Sequence, residues 1–284
     1  MRTEPDVGSD REPLARLLGA AEAAVDAGVG WLTEAGDEWS KRRFKASGEE
    51  VTDADSEVER RITRVLREHA PGIPVVGEET DREEGDSVPS RCWLLDPIDG
   101  TMNFTRGAPL YAVSLGLVDG GEPALGVLHA PALNRRWSTG PDTDAAPGTE
   151  DAPGTEEAPS TEEAGEGAQE VSRAVVGVTG AGGVHSPSGR LLTALLDEAY
   201  RVRMQGCMSL DLIGVAEGWL DACVCVGAKP WDVAAGVALL RRRGWTVLDG
   251  DGRPYAFGAP VLVAGNGPLA RELAALCRAR TRVR

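Results

Sequence analysis

The chain has 284 residues, 42% of them hydrophobic, and its 45 acidic against 30 basic residues give a formal net charge of -15. That length and apolar fraction can bury a large core, in one domain or two packed halves, which excludes disorder throughout. The charge excludes generic attraction to nucleic acid or to an anionic membrane, because both repel it at long range.

The N-terminus MRTEPDVGSDREPLARLL lacks the apolar stretch of a secretory signal, and no run reaches the ~18 apolar residues of a membrane span. Leu14, Leu17, Leu18, Ala21, Val25 and Val29 recur at helical spacing and predict an amphipathic helix from Pro13 to Trp31. A second helix is expected after Asp55, with Val58, Ile62, Val65 and Leu66 as its stripe and Pro71-Gly72 as its stop. Strand-like runs follow at Ile73 to Val76, Trp93 to Leu95, Tyr111 to Val118 and Ala124 to His129. The first half, 1–139, therefore reads as α+β.

Residues 146 to 163 repeat a hexapeptide as APGTED, APGTEE and APSTEE, and Pro141 to Glu170 hold ten acids without one Lys or Arg. So little apolar surface cannot offset ordering entropy, and 140–170 is expected to be a disordered acidic insertion. From 171 to 284 strands and helices alternate: strands at Ala174 to Thr179, Leu220 to Val226, Trp245 to Leu248 and Val261 to Ala264. Helices are expected near Gly189 to Tyr200, Ser209 to Glu217, Asp232 to Arg243 and from Pro268. This order predicts an α/β half. DGDGRP, Asp249 to Pro254, reads as a hairpin turn and not as a calcium loop.

Cys92, Cys207, Cys223, Cys225 and Cys277 are odd in number and contain no CxxC pair, which fits reduced thiols of a cytoplasmic protein. None stands in the CxxxxxR loop of a thiol phosphatase, and His69, His129 and His185 lie outside the motifs below.

The most informative string is WLLDPIDGTMNF. A buried strand delivers Asp96, and Asp99 follows three positions on, before Gly100-Thr101. Carboxylates this close raise each other's pKa unless a cation lies between them, and hard ions such as Mg²⁺ favour oxygen ligands. Gly100 to Asn103 could open a helix whose free N–H groups suit a phosphate. Three further stretches carry acids: KASGEEVTDADSEVE with Asp55 at a helix head, VVGEET with Glu78 at a strand end, and GAKPWDVAAG with Asp232. Singly, each also reads as a cap or a solvated loop.

Together, in this order, the four stretches resemble the inositol monophosphatase superfamily of metal-dependent sugar and nucleotide phosphatases, from about Lys45 to Gly236. The resemblance implies an α/β fold with an α+β N-terminal half, in a layered αβαβα sandwich of the sugar-phosphatase type, and a homodimer. It implies two or three Mg²⁺ ions on Glu78, Asp96, Asp99, Asp232 and the Ile98 carbonyl, with Asp55 at a weaker position. Glu78, Thr101 and Asp55 are the expected catalytic groups, Thr101 helping to orient water, and the amides of Gly100 and Thr101 should face the phosphate. Lithium sensitivity comes with the family.

Substrate contacts are expected from Asp99, Gly206, Cys207, Met208, Cys225 and Asp232. Cys207 and Met208 are larger than the small residues relatives carry there, and Cys225 stands where many inositol-type members place a Glu. The leading expectation is a phosphomonoesterase for a small polyol, sugar or cyclitol phosphate such as inositol monophosphate. One alternative is a phosphatase for a pathway-specific nucleoside, aminocyclitol or histidinol phosphate; another is a metal-binding regulatory protein that uses the acidic loop. The expected partner is a small phosphate ester, with no nucleic acid and no membrane.

Overall fold

The computed structural model describes residues 11–35, 37–45, 50–80, 87–141, 143, 167–180 and 186–281. Most of the 140–170 insertion and His185 lie outside the described residues. Two helices form the first layer: α1 (Arg11–Glu34) and α2 (Asp53–His69). Both pack their apolar stripes on a five-stranded sheet of β3 (Val75–Gly77), β4 (Cys92–Asp99), β5 (Ala112–Asp119), β6 (Glu122–Ala130) and β7 (Arg135–Thr139), hydrogen-bonded in that order. β3 runs parallel to β4, and the other neighbours are antiparallel. A two-residue pair, β1 (Arg43–Phe44) with β2 (Glu50–Val51), and the single helical turn α3 (Thr101–Phe104) belong to the same half.

The second half builds a five-stranded sheet from β8 (Val175–Thr179), β9 (Arg201–Arg203), β10 (Ala222–Val226), β11 (Thr246–Asp249) and β12 (Val261–Gly265). Its order is β11-β12-β10-β8-β9. Helices α5 (Met208–Ala216) and α6 (Pro230–Arg242) lie between the two sheets, while α4 (Pro187–Glu198) and α7 (Gly267–Thr281) cover the outer face. The order of layers is helix, sheet, helix, sheet, helix, as expected. β1, β2 and β9 are too short for a periodic pattern to reveal them.

This layering explains the uniform apolar run of β4, which is buried at all eight positions. Trp93 and Leu95 face α1 and α2, whereas Cys92 and Leu94 face Ala234 of α6. A strand covered on both faces loses the polar alternation of a half-exposed one.

It also explains PWDVAAGVALL in α6, since a helix between two sheets needs small residues for close approach. Gly116 and Gly126 lie opposite each other on β5 and β6, and a Cβ at Gly126 would come within 2.6 Å of Ala235 Cα. Gly126→Val should therefore destabilise the protein by about 3 kcal/mol, because backbone cannot yield as a side chain can. Urea denaturation measures this, and an unchanged midpoint would refute the close packing.

Candidate active site

β4 and β5 are out of register between Asp96 and Asp99: Asp96 pairs with Ser114 and Asp99 with Ala112, so three steps on β4 span two on β5. In a regular strand, residues three apart point to opposite faces. The extra residue at Pro97-Ile98 cancels that alternation, so both carboxylates can serve the face covered by α5 and α6. Asp99 there accepts the N–H groups of Met208, at 3.2 Å, and Ser209. Asp96 is 3% exposed, and its Oδ1 accepts the Ile98 N–H at 3.0 Å.

The remaining acids arrive from separate elements. Glu78 extends the β3 pairing by donating its N–H to the Leu95 carbonyl, which brings it beside Asp96. Asp55 sits in the first turn of α2 and closes a capping box, accepting the Thr52 N–H at 2.8 Å and the Thr52 hydroxyl at 2.6 Å. The expected cap is thus present, and it also directs Asp55 inward to 1% exposure. Asp232 lies in the first turn of α6 and accepts the Lys229 N–H at 2.8 Å.

Electrostatics show that these acids share one neighbourhood. Burial pushes the Asp96 pKa well above the ordinary range, and Glu78, Asp99, Asp232 and Asp55 add to the rise. Asp99 is raised by burial against the pull of its Ser209 hydrogen bonds. Asp55 rises to about 6, again chiefly through burial. Lys45 bridges Glu78 at 2.7 Å and Glu79 at 2.6 Å; burial opposes its charge, but the two carboxylates outweigh burial and raise its pKa.

Such a donor set fits a hard divalent cation, which would relieve this mutual repulsion. As they stand, no three His, Cys, Asp or Glu side chains among the described residues form a group that could hold an ion. The physical reason is visible in the hydrogen bonds, since each acid is turned toward a local partner: Thr52, Lys45, Ile98, Ser209 or Lys229. Ion binding must compete with those bonds.

Thr101 joins two of the motifs, its Oγ1 lying 3.2 Å from Asp55 Oδ1 and 2.9 Å from the Ile98 carbonyl oxygen. The helix expected after Asp99 is only the one turn of α3, too short for a substantial dipole, but the first amides of any helix have no intrahelical acceptor. Gly100 needs its missing side chain twice over: its φ is +92°, and a Cβ would lie 2.8 Å from the Leu110 carbonyl oxygen and 3.2 Å from Cys207 Cβ. Asn103 ties this turn to the other half by donating to the Gln205 carbonyl at 2.8 Å, and to its own half by donating to the Leu110 carbonyl at 2.7 Å.

Gly206, Cys207 and Met208 are therefore adjacent to the Asp99–Thr101 turn. Cys207 is fully buried, and burial, then Asp99, drives its thiol pKa upward. Cys225 is also fully buried, in the apolar cluster between α5, α6 and the second sheet. The structure thus brings Asp55, Glu78, Asp96, Ile98, Asp99, Gly100, Thr101, Gly206, Cys207, Met208 and Asp232 to one region and sets Cys225 in the core behind it.

Asp211 was not singled out by sequence, although an acid inside the apolar run SLDLIGVA was the available signal. It is fully buried and accepts the Thr179 hydroxyl and, at 2.9 Å, the Gln205 amide. Burial raises its pKa from 3.8 to about 6. A raised folded-state pKa means the folded chain binds the proton more tightly, so stability is highest below the unfolded pKa and is lost as pH rises through the folded one. Metal-free protein should accordingly lose stability between pH 3.8 and about 6. Asp211→Asn should flatten that loss by up to about 3 kcal/mol. Melting temperatures across this range measure it, and an identical slope in the variant would contradict it.

A layered αβαβα sandwich with carboxylates at strand and helix ends where its halves meet is the build of a sugar-phosphatase-type hydrolase. The comparisons with known proteins agree. The inositol monophosphatase family pattern matches residues 15–283. A probable inositol 1-monophosphatase, ImpA, of Mycobacterium tuberculosis is 34% identical over 260 residues, 89% of this chain and 90% of that protein. A histidinol-phosphatase of the same organism is 34% identical over 226 residues, covering 78% and 82%. The solved structure of a Thermotoga maritima IMPase superposes with a TM-score of 0.74 at 26% identity, covering 94% of this chain and 98% of that one. The chain belongs to the inositol monophosphatase family and is a phosphoric monoester hydrolase. That membership sets aside the purely regulatory alternative. Among the described residues no helix is long and apolar enough to cross a membrane.

Proposed function

We propose that the protein is a Mg²⁺-dependent, Li⁺-sensitive phosphomonoesterase for a small polyol, sugar or cyclitol phosphate, acting in the cytoplasm as a homodimer. The observation that carries this reading is the gathering of Asp96, Glu78, Asp99, Asp232 and Asp55 within electrostatic reach of one another, beside the Gly100-Thr101 start of α3, where Thr101 Oγ1 meets Asp55. We read residues 1–139 and 171–284 as two halves that complete the site together, since Asp99 is held by the N–H groups of Met208 and Ser209. Five buried cysteine thiols, none in a disulfide, support a reducing compartment.

In this reading Glu78, Asp96, Asp99, Asp232 and the Ile98 carbonyl hold Mg²⁺, and Asp55 serves a weaker position. Mg²⁺ when bound supplies charge neutralisation for the phosphate, a lowered water pKa and stabilisation of the leaving alkoxide. The Thr101 hydroxyl, placed between Asp55 and the Ile98 carbonyl, orients the attacking water, and Glu78 accepts its proton. The Gly100 and Thr101 amides bind phosphate oxygens, and because water itself attacks phosphorus opposite the leaving alkoxide no phosphoenzyme is needed. Asp99, Asp232 and the Gly206–Met208 segment line the alcohol side.

A second reading has specific support. Cys225 is buried in the core and offers no carboxylate to ring hydroxyls, while Met102 and Met204 are exposed, with Met102 Cε lying near Gly206. This rim suits a substrate with an apolar or aromatic portion, and the similarity to a histidinol-phosphatase points the same way. One assay decides: phosphate release from inositol monophosphate, sugar phosphates, a nucleoside monophosphate and histidinol phosphate, with Mg²⁺, with chelator and with Li⁺. Turnover that survives chelation would refute the main reading, and kinetic preference for inositol monophosphate would refute the second.

A further inference from the structure

Glu59 lies one helical turn after Asp55, so the two acids share a face of α2, and Glu59 is buried to 9% exposure. Its Oε2 accepts the Glu79 N–H at 3.0 Å and its Oε1 accepts the Thr80 hydroxyl at 2.8 Å. The carboxylate passes directly over Gly77, where a Cβ would lie 2.0 Å from Oε2 and 2.6 Å from Oε1. A side chain at Gly77 would displace that carboxylate. From the other side, Lys45 grips the carboxylates of Glu78 and Glu79. The turn that presents Glu78 is thus held by Glu59 through the Glu79 amide and the Thr80 hydroxyl, and by Lys45 through the two carboxylates.

Burying a carboxylate is unfavourable, and an apolar side chain would fill the same volume more readily. Here burial raises the Glu59 pKa, and the Thr80 and Glu79 hydrogen bonds pull it back. What the acid supplies, and an apolar residue could not, is two acceptors spaced to take two donors from one turn.

We propose that Glu59 is a positioning residue whose carboxylate clamps the Gly77–Thr80 turn and so sets the direction in which Glu78 is presented. The inference rests on the reading of Glu78 as a metal ligand. Groups that orient ligands in this way typically alter metal affinity by about 10- to 100-fold when removed.

The test compares wild type, Glu59→Ala, Glu59→Gln and Thr80→Val as full-length proteins. Three readouts are taken: Mg²⁺ dependence of phosphatase activity, Mn²⁺ binding by electron paramagnetic resonance, and amide hydrogen exchange over residues 77–80 without metal. Glu59→Ala should raise half-saturating Mg²⁺ and the Mn²⁺ dissociation constant at least about tenfold, and speed exchange at the Glu79 amide. Glu59→Gln should stay within about twofold of wild type, because its amide oxygen still accepts the Glu79 N–H and its NH₂ can donate to the Thr80 hydroxyl. Thr80→Val, which removes one of the two bonds, should fall between them.

Unchanged metal affinity and exchange in Glu59→Ala would overturn the clamp, and so would a Glu59→Gln as impaired as Glu59→Ala. Should Glu59→Ala fail to fold, Glu59→Gln and Thr80→Val decide: Thr80→Val indistinguishable from wild type in exchange and affinity overturns it. Wild-type protein without Mg²⁺-dependent turnover would defeat the metal reading, while the exchange measurement would still judge the clamp.

Discussion

Asp96→Asn is expected to abolish turnover, by about 10³-fold or more, while making the metal-free protein more stable. Asp96 is buried among Glu78, Asp99, Asp232 and Asp55, and that company pushes its pKa up. Asparagine keeps the oxygen that accepts the Ile98 N–H and removes one negative charge from the cluster. Relief equivalent to one pKa unit would be about 1.4 kcal/mol of stability. The variant therefore separates two claims, since a residue needed only for folding would lose stability together with activity. Kinetics at saturating Mg²⁺ and chemical denaturation in chelator measure both. Near-wild-type turnover would remove Asp96 from the chemistry.

Gly100→Ala should give the second large effect. The backbone at Gly100 is left-handed, and the new methyl would press on the Leu110 carbonyl oxygen and on Cys207. Strain of this kind costs about 1–3 kcal/mol. The turn it displaces carries Thr101 and the amides proposed to face the phosphate. Since a misplacement near 1 Å can cost about 10²-fold in rate, activity should fall by that order even in correctly folded enzyme. Turnover within threefold of wild type would show that the turn does not bear on the reaction.

Much of this site was legible because its signals are local. WLLDPIDGTMNF states a buried strand, two acids and a glycine turn in consecutive residues, and PWDVAAG combines a helix start with small residues suited to a helix between sheets. The helices and most strands followed from periodicity for the same reason. What sequence could not state is which distant groups meet. The register slip that lets Asp96 and Asp99 share a face is a property of β4 against β5. Likewise, the bonds from Met208 and Ser209 to Asp99 span more than a hundred residues. Asp211 and Glu59 were obscured differently: on a helix, acids usually face solvent, and only the packed layers show these two turned inward. GTMNF announces a helix start but not its length, and only the folded chain shows α3 ending after one turn, with Gly107 and Ala108 turning back onto Phe104 and Asn103.

The central claim is that carboxylates from four stretches act on divalent cations as one group. Crystals of the protein soaked with Mn²⁺ and inorganic phosphate would test it through anomalous diffraction. Peaks shared between at least two of Glu78, Asp96, Asp99 and Asp232, with phosphate density against the Gly100 and Thr101 amides, are the expected result. Mn²⁺-supported turnover in solution, combined with crystals whose only manganese peaks lie away from these carboxylates, would contradict it.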